Sequence, residues 1–117
     1  MRFTIYHNPK CAKSRETLQL LESRGIEPVI VEYLKTPPSK TELAKLVKLL
    51  GIEARALLRT KEPEYKQAGL ADPQLSDSAI LQAMIRHPKL IERPIVVAGT
   101  SKAVLGRPPE NVLKLLK

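Results

Sequence analysis

The order of strand and helix patterns in the first third of the chain most restricts its possible folds. Residues 2–6 alternate and are rich in β-formers, which predicts a strand. Asn8 and Pro9 then predict the start of a helix, and Gly25 is placed to end it. Residues 28–34 predict a second strand. Strand, helix and strand within about 34 residues have the size of a βαβ unit, so we expect parallel strands.

The middle of the chain carries helix patterns and no strand pattern. Ser39 and Glu42 have the spacing of a capping box, and Gly51 is placed to end the helix that they begin. Residues 76–87 predict a further helix, whose inward-facing side chains are Ile80, Leu81 and Met84. We therefore expect a helical insertion over about residues 35–87.

The last part of the chain returns to strands and then a helix. Residues 93–99 and 101–106 predict an antiparallel hairpin, and a proline-started helix closes the chain. The full order is β-α-β, helical insertion, β-β-α. This order predicts an α/β thioredoxin-like fold with a mixed sheet, formed as a single domain over residues 1–117 with the insertion after the second strand.

Composition fits such a domain and argues against several classes of protein. Apolar residues make up 43% of the chain and charged residues 27%, as is typical of globular domains. No apolar run approaches the ~20 residues that span a bilayer, so we expect no membrane segment. The single cysteine excludes an internal disulfide and favours a reducing compartment. We expect a cytoplasmic monomer.

The formal net charge of +8 raises the question of nucleic-acid binding. However, the lysines and arginines are scattered along the chain rather than gathered in one basic run. The aromatic residues that could stack on bases are few: Phe3, Tyr6, Tyr33 and Tyr65. We therefore do not expect nucleic-acid binding, and a basic surface with a local anion site accounts for the charge.

The only cysteine lies in the stretch HNPKCAKSR, residues 7–15. The predicted helix start places Cys11 where unpaired backbone N–H groups and the helix dipole favour an anion. Lys10, Lys13 and Arg15 add positive charge around it. Because a thiol reacts as its thiolate, these features together predict a nucleophilic Cys11 with a lowered pKa.

Two neighbours of Cys11 have side chains suited to assist it. His7 is near enough in sequence to donate a proton or add charge, and Ser14 lies one helical turn onward, where it could hydrogen-bond the sulfur. The alternative is an inert structural cysteine, but such cysteines have apolar neighbours. We expect no metal site, because His7 and Cys11 supply only two ligands and His87 is distant in sequence.

Three arginines lie beside rigid features of the predicted fold. Arg59 follows the segment ALL at the end of a predicted helical turn, whereas Arg93 and Arg107 each precede a proline at a strand end. All three are candidates for anion binding. Their spacing alone nevertheless favours three solvated arginines.

Five motifs in the sequence change the interpretation of these arginines: HNPKCAKSRETL, YLKTPPSKTEL, ALLRTKEPEY, LIERPIVV and GRPPENVL. In this order they resemble the blocks of the glutaredoxin-dependent arsenate reductase family, over about residues 4–116. The resemblance implies a thioredoxin-like fold with a helical insert, a cis peptide bond before Pro94 and Cys11 as the nucleophile. It also implies His7 and Ser14 as helpers and an oxyanion site made by Arg59, Arg93 and Arg107.

The implied reaction is attack of the Cys11 thiolate on arsenate, with the guanidinium groups of the three arginines converging beside the sulfur. Glutathione and glutaredoxin would supply the electrons from outside, and no bound cofactor or metal is expected. Two alternatives stay open. A related branch of this fold binds RNA polymerase as a stress regulator, and another possibility is a thiol-transfer enzyme that acts on glutathione mixed disulfides.

Overall fold

The computed structural model describes residues 2–116, so Met1 and Lys117, the two ends of the predicted domain, lie outside the described residues. Its sheet has four strands, β1 (Phe3–His7), β2 (Val29–Glu32), β3 (Ile95–Ala98) and β4 (Lys102–Leu105). They are arranged in the order β2-β1-β3-β4. The central strand β1 pairs parallel with β2 and antiparallel with β3, and β3 pairs antiparallel with β4. The predicted mixed sheet is confirmed.

Helix α1 (Ala12–Ser23) begins later than the prediction from Asn8 and Pro9. Asn8 is part of a turn before the helix, because its Oδ1 accepts from the N–H of Lys10 at 3.0 Å. The Asn8 carbonyl also accepts from the N–H of Cys11 at 3.0 Å. Cys11 is therefore the N-cap residue of α1, with extended backbone angles (φ −96°, ψ 124°).

The other end of α1 is formed as predicted. Gly25 has φ 77°, a left-handed conformation that favours glycine. Its N–H bonds to the carbonyl of Glu22 at 3.0 Å, and the N–H of Ile26 bonds to that of Leu21 at 3.1 Å. These two bonds satisfy carbonyls that the helix end leaves unpaired, and they direct the chain into β2.

The chain forms two compact units, which we call the sheet unit (residues 1–36 with 93–117) and the inserted unit (37–92). A buried apolar cluster forms the core of the sheet unit and consists of Ile5, Leu21, Val96, Ala98, Val112 and Leu115. The closing helix, Pro109–Leu116, is a 3₁₀-helix. Because a 3₁₀-helix has three residues per turn, Val112 and Leu115 lie on the same face and both enter this core.

The inserted unit contains α2 (Lys40–Leu50), α3 (Pro63–Gln67) and α4 (Asp77–Arg86). The Oγ of Ser39 accepts from the N–H of Glu42 at 3.1 Å, as its capping position predicts. The unit's buried apolar side chains include the three predicted in α4, together with others along the chain: Leu43, Leu46, Leu57, Ile80, Leu81, Met84 and Leu90.

The inserted unit continues past the predicted end near residue 87. Leu58 and Ile91 form an antiparallel bridge. Two backbone bonds flank the bridge, from the N–H of Arg59 to the carbonyl of Leu90 and from the N–H of Glu92 to the carbonyl of Leu57, each 2.8 Å long.

Within residues 2–116, no helix combines the length and the apolar character needed to cross a bilayer.

Candidate active site

Cys11 lies where the turn after β1 meets the first turn of α1. Its carbonyl accepts the N–H of Arg15 at 3.0 Å, which begins the helical hydrogen-bond pattern. The residue is buried, with 8% of its surface exposed. The sulfur is therefore held at the N-terminal end of a helix of 12 residues, where backbone N–H groups lack helical acceptors.

The environment of Cys11 favours the thiolate. Burial has the largest influence and raises the pKa of the thiol, but several groups together outweigh it. They are a hydrogen bond from the backbone N–H of Ser14, a hydrogen bond from the Arg93 side chain, the charge of Arg93 and the backbone N–H of Lys13. The net result is a Cys11 pKa below that of an ordinary cysteine.

The basic residues next to Cys11 in sequence either have partners of their own or are exposed. The Nζ of Lys13 pairs with Glu16 at 3.8 Å, and Nη1 of Arg15 donates to the carbonyl of Pro9 at 3.0 Å. Lys10 is exposed. The charge of Arg15 nevertheless reaches this region, because it lowers the pKa of His7. The predicted contribution of Lys10, Lys13 and Arg15 to the Cys11 thiolate stays a prediction.

Two arginines from the C-terminal part of the sheet unit, Arg93 and Arg107, bring positive charge to the Cys11 sulfur. The Nη2 of Arg107 lies 3.7 Å from the Sγ of Cys11, and its Nε donates to the carbonyl of Arg93 at 2.8 Å. Both arginines precede a cis proline, Pro94 and Pro108. The cis bond before Pro94 was expected from the sequence, whereas the cis bond before Pro108 was not. Two of the three candidate arginines are therefore neighbours of the sulfur.

Gly106, the residue before Arg107, allows three segments to approach closely. Its N–H bonds to the carbonyl of Pro94 at 2.9 Å, and its carbonyl accepts from the Oγ1 of Thr17 at 3.3 Å. A Cβ at this position would lie 2.6 Å from the Thr17 Oγ1 and 2.8 Å from the Pro94 Cγ. Neither Thr17 nor Gly106 was predicted from the sequence to be functional. The position of Gly106 directly before Arg107 and Pro108 could have indicated a close backbone contact.

His7 and Ser14 form a buried pair beneath the cysteine loop. The Nδ1 of His7 lies 2.6 Å from the Oγ of Ser14, which also accepts the N–H of Asn8 at 3.0 Å. Burial lowers the pKa of His7, a charge from Glu32 raises it, and the charge of Arg15 lowers it, for a net decrease. The lowered pKa favours the neutral form of His7. The Ser14 hydroxyl contacts His7 and the backbone rather than the sulfur, to which Ser14 offers its backbone N–H.

Arg59 belongs to the inserted unit, where two carboxylates hold its guanidinium. Its Nη1 donates to the Oε1 of Glu92 at 2.7 Å, and its Nε donates to the Oε2 of Glu62 at 3.4 Å. The side chain is only 20% exposed. Both charged partners of Arg59 thus belong to its own unit, and the predicted role of Arg59 beside the sulfur stays a prediction.

The geometry of the sheet unit suits one kind of chemistry. A stabilised thiolate beside two guanidinium groups can attack an electrophile that is itself an anion, because the arginines offset the repulsion between the two charges. Among the described residues, no three His, Cys, Asp or Glu side chains are clustered as metal ligands.

A cysteine that caps a helix, beside arginines that precede cis prolines, on a mixed sheet interrupted by a helical insert, is the arrangement of a thioredoxin-like protein. Residues 6–115 match the model of the ArsC family, and the chain belongs to that family.

Individual relatives cover almost the whole chain. It is 56% identical over 113 residues to the Escherichia coli (strain K12) protein named Uncharacterized protein YfgD, covering 96% of this chain and 94% of that protein. It is 50% identical over 117 residues to an arsenate reductase of Haemophilus influenzae, covering 99% and 100%. The solved arsenate reductase from Vibrio cholerae superposes with a TM-score of 0.94 at 57% identity, covering 97% of each chain. The thioredoxin-like fold predicted from the sequence is thereby confirmed.

Proposed function

We propose that this protein is an arsenate reductase in which Cys11 is the nucleophile. The observation that carries the proposal is the Arg107 guanidinium, 3.7 Å from the Cys11 sulfur, together with the hydrogen bond from Arg93 to the same sulfur. Relatives named arsenate reductase support it at 49% identity in Neisseria meningitidis and 50% in Haemophilus influenzae.

In the first step the Cys11 thiolate attacks the arsenic of arsenate. An S–As bond forms, and one As–O bond breaks as the departing oxygen takes up protons and leaves as water. The arsenic is still As(V) in this adduct. Arg93 and Arg107 bind the oxyanion through charge-assisted hydrogen bonds, for which the planar guanidinium is well suited. Arg59 is the third proposed anion ligand, assigned from the resemblance.

The two electrons come from outside the chain, because Cys11 is its only cysteine. A glutathione thiolate attacks the arsenic of the adduct and displaces a second oxygen as water. A glutaredoxin thiolate then attacks the glutathione sulfur, so that a mixed disulfide forms and the electron pair of the As–S bond stays on arsenic. Water releases arsenite from Cys11 as As(III). A reducing cytoplasm supplies both thiols, and a monomer suffices for the reaction.

His7 and Ser14 assist Cys11 from below the loop. The hydrogen bond between them, 2.6 Å long, fixes the first turn of α1 on the end of β1. Ser14 thereby holds its own backbone N–H towards the thiolate. Because burial lowers the pKa of His7, we assign the positive charge of the site to the arginines, and the proposal requires no bound cofactor.

The test is a coupled assay that contains arsenate, glutathione, glutaredoxin, glutathione reductase and NADPH. We expect arsenate-dependent oxidation of NADPH that stops when glutathione or glutaredoxin is omitted. Activity without glutaredoxin would contradict the proposed reductant while leaving the adduct intact. With glutaredoxin omitted, oxidation of NADPH that depends on this protein and on a glutathione mixed disulfide, but no activity with arsenate in the full assay, would instead identify a thiol-transfer enzyme. Activity with neither substrate would favour the RNA-polymerase regulator.

A further inference from the structure

The backbone that carries Arg107 is fastened by a side chain that does not touch the sulfur. The Nδ2 of Asn111 donates to the carbonyl of Leu105 at 3.1 Å and to the carbonyl of Arg107 at 3.0 Å. Only the amide nitrogen of asparagine can donate to carbonyls, so these two bonds fix the orientation of the Asn111 amide.

The two carbonyls are the outer ones of the three-residue segment 105–107. The middle residue, Gly106, is held separately through its N–H by Pro94 and through its carbonyl by Thr17. Every carbonyl of the segment is therefore engaged within the protein, and Asn111 binds two of the three. With the backbone fixed in this way, the Arg107 side chain reaches both the Arg93 carbonyl and the Cys11 sulfur.

Asn111 is itself anchored by the core. It lies on the closing 3₁₀-helix, directly before Val112, which is fully buried, and Leu115 of the same helix is also buried. Rigid packing of these side chains fixes the helix, and the helix carries the amide. A continuous set of contacts thus connects the hydrophobic core of the sheet unit to the guanidinium beside the sulfur.

We propose that Asn111 is a positioning residue, which sets the backbone of Arg107 so that its guanidinium lies against Cys11. The inference concerns the site on which the proposed function rests. Its main readout, the ionisation of Cys11, does not require arsenate turnover.

The experiment compares iodoacetamide alkylation of Cys11 across pH in the full chain and in Asn111→Ala, Arg107→Ala and the double variant. Alkylation follows the thiolate, so its rate at a pH below the midpoint reports the thiolate fraction. Loss of the two hydrogen bonds in Asn111→Ala is expected to lower that rate about two- to ten-fold, the effect of a typical hydrogen bond. Arg107→Ala should lower the rate at least as much, and adding Asn111→Ala to Arg107→Ala should change nothing further.

Two further variants separate positioning from general stability. Asn111→Leu keeps the branched shape of the side chain and adds no charge but cannot donate to either carbonyl, so it should lower the alkylation rate even if the alanine variant folds poorly. Glu110→Gln changes the adjacent, exposed position on the same helix and should leave the rate unchanged. Thermal unfolding of each variant identifies any loss of fold.

The results distinguish this inference from the proposed function. An unchanged alkylation rate in folded Asn111→Ala and Asn111→Leu, with a clear loss in Arg107→Ala, overturns the role of Asn111 alone. The role of Asn111 is also overturned if Asn111→Ala lowers the alkylation rate as much in the Arg107→Ala background as in the wild-type protein. Such an effect would not act through Arg107. No change in Arg107→Ala itself would instead remove the electrostatic basis of the proposed function.

Discussion

The Nη2 of Arg107 lies 3.7 Å from the Sγ of Cys11, although 96 positions separate the two residues in the chain. The same side chain donates its Nε to the carbonyl of Arg93, 2.8 Å away. The site is thus assembled from three separate segments of the sheet unit: the turn after β1, the cis-proline turn before β3 and the end of β4.

The first prediction concerns the pH dependence of Cys11. Because its pKa is lowered in the folded protein, iodoacetamide alkylation should have its midpoint below the ordinary cysteine value of about 8.5. The same shift links to stability. The free energy of unfolding gained from the folded thiolate is complete above the unfolded pKa and is lost as pH falls through the folded pKa. Cys11→Ser should abolish this part of the pH dependence in chemical denaturation. A midpoint at or above the ordinary value would contradict the thiolate assignment.

The second prediction concerns the two arginines at the sulfur. Arg93→Ala or Arg107→Ala should weaken the binding of sulfate or arsenate by about 1–3 kcal/mol, the range for hydrogen bonds to charged groups. Replacement by lysine should recover only part of this, because an ammonium cannot reproduce the planar fork. Isothermal titration calorimetry measures the affinities, with Arg24→Ala, at an exposed position after α1, as the control. Equal affinities in all variants would exclude an anion site at Cys11.

The third prediction concerns the carboxylates that hold Arg59. A guanidinium binds a tetrahedral oxyanion through Nη2 together with either Nε or Nη1. In Arg59 the Nε is bonded to Glu62 and the Nη1 to Glu92. If Arg59 is an anion ligand, Glu92→Gln should raise sulfate affinity about two- to five-fold, the scale of a partly exposed ion pair.

Two controls accompany this measurement. Glu53→Gln removes the same charge from an exposed position of the inserted unit and should have little effect. In an Arg59→Ala background, Glu92→Gln should give no gain. A loss of affinity in Glu92→Gln would show that Glu92 orients Arg59 instead of competing for it, and unchanged affinity in Arg59→Ala would remove Arg59 from the site.

The fourth prediction tests the close contact at Gly106. A methyl group there would meet Thr17 and Pro94 at distances that real Cβ atoms do not tolerate. Gly106→Ala should therefore destabilise the protein by about 1–3 kcal/mol, the usual effect of overpacking, and should reduce activity by shifting Arg107. Chemical denaturation measures the first effect. Because Thr17→Ala removes two of the three clashing atoms, the double variant should regain part of the stability. No difference between Gly106→Ala and the parent protein would mean that the three segments are not tightly packed.

Local signals in the sequence were sufficient for most of the fold. A capping serine such as Ser39 and a terminal glycine such as Gly25 act through backbone hydrogen bonds to residues a few positions away. Such signals can be recognised from neighbours alone. The start of α1 was mistaken because Asn8 can cap a helix or form a turn with equal ease, and here it forms the turn.

The electrostatics of the site depended on contacts that no local pattern encodes. Lys13 is close to Cys11 in sequence, yet its side chain pairs with Glu16, whereas Arg93 and Arg107 reach the sulfur through strand pairing. Only the family resemblance predicted that these two arginines belong to an anion site, because their spacing in the sequence favoured solvated side chains. Asn111 and Thr17 were missed because each acts by bonding a backbone carbonyl, which leaves no mark in residue type or spacing.

The central claim is that arsenate is reduced through the Cys11 sulfur, and direct detection of arsenite tests it most simply. The wild-type protein and Cys11→Ser are each incubated with arsenate, glutathione and glutaredoxin, and the arsenite formed is separated from arsenate and quantified. We predict steady formation of arsenite by the wild-type protein and only the background rate of the thiols with Cys11→Ser, whose alcohol lacks a general base to activate it. Arsenite formation by Cys11→Ser at the wild-type rate, or none above background by the wild-type protein, would contradict the account.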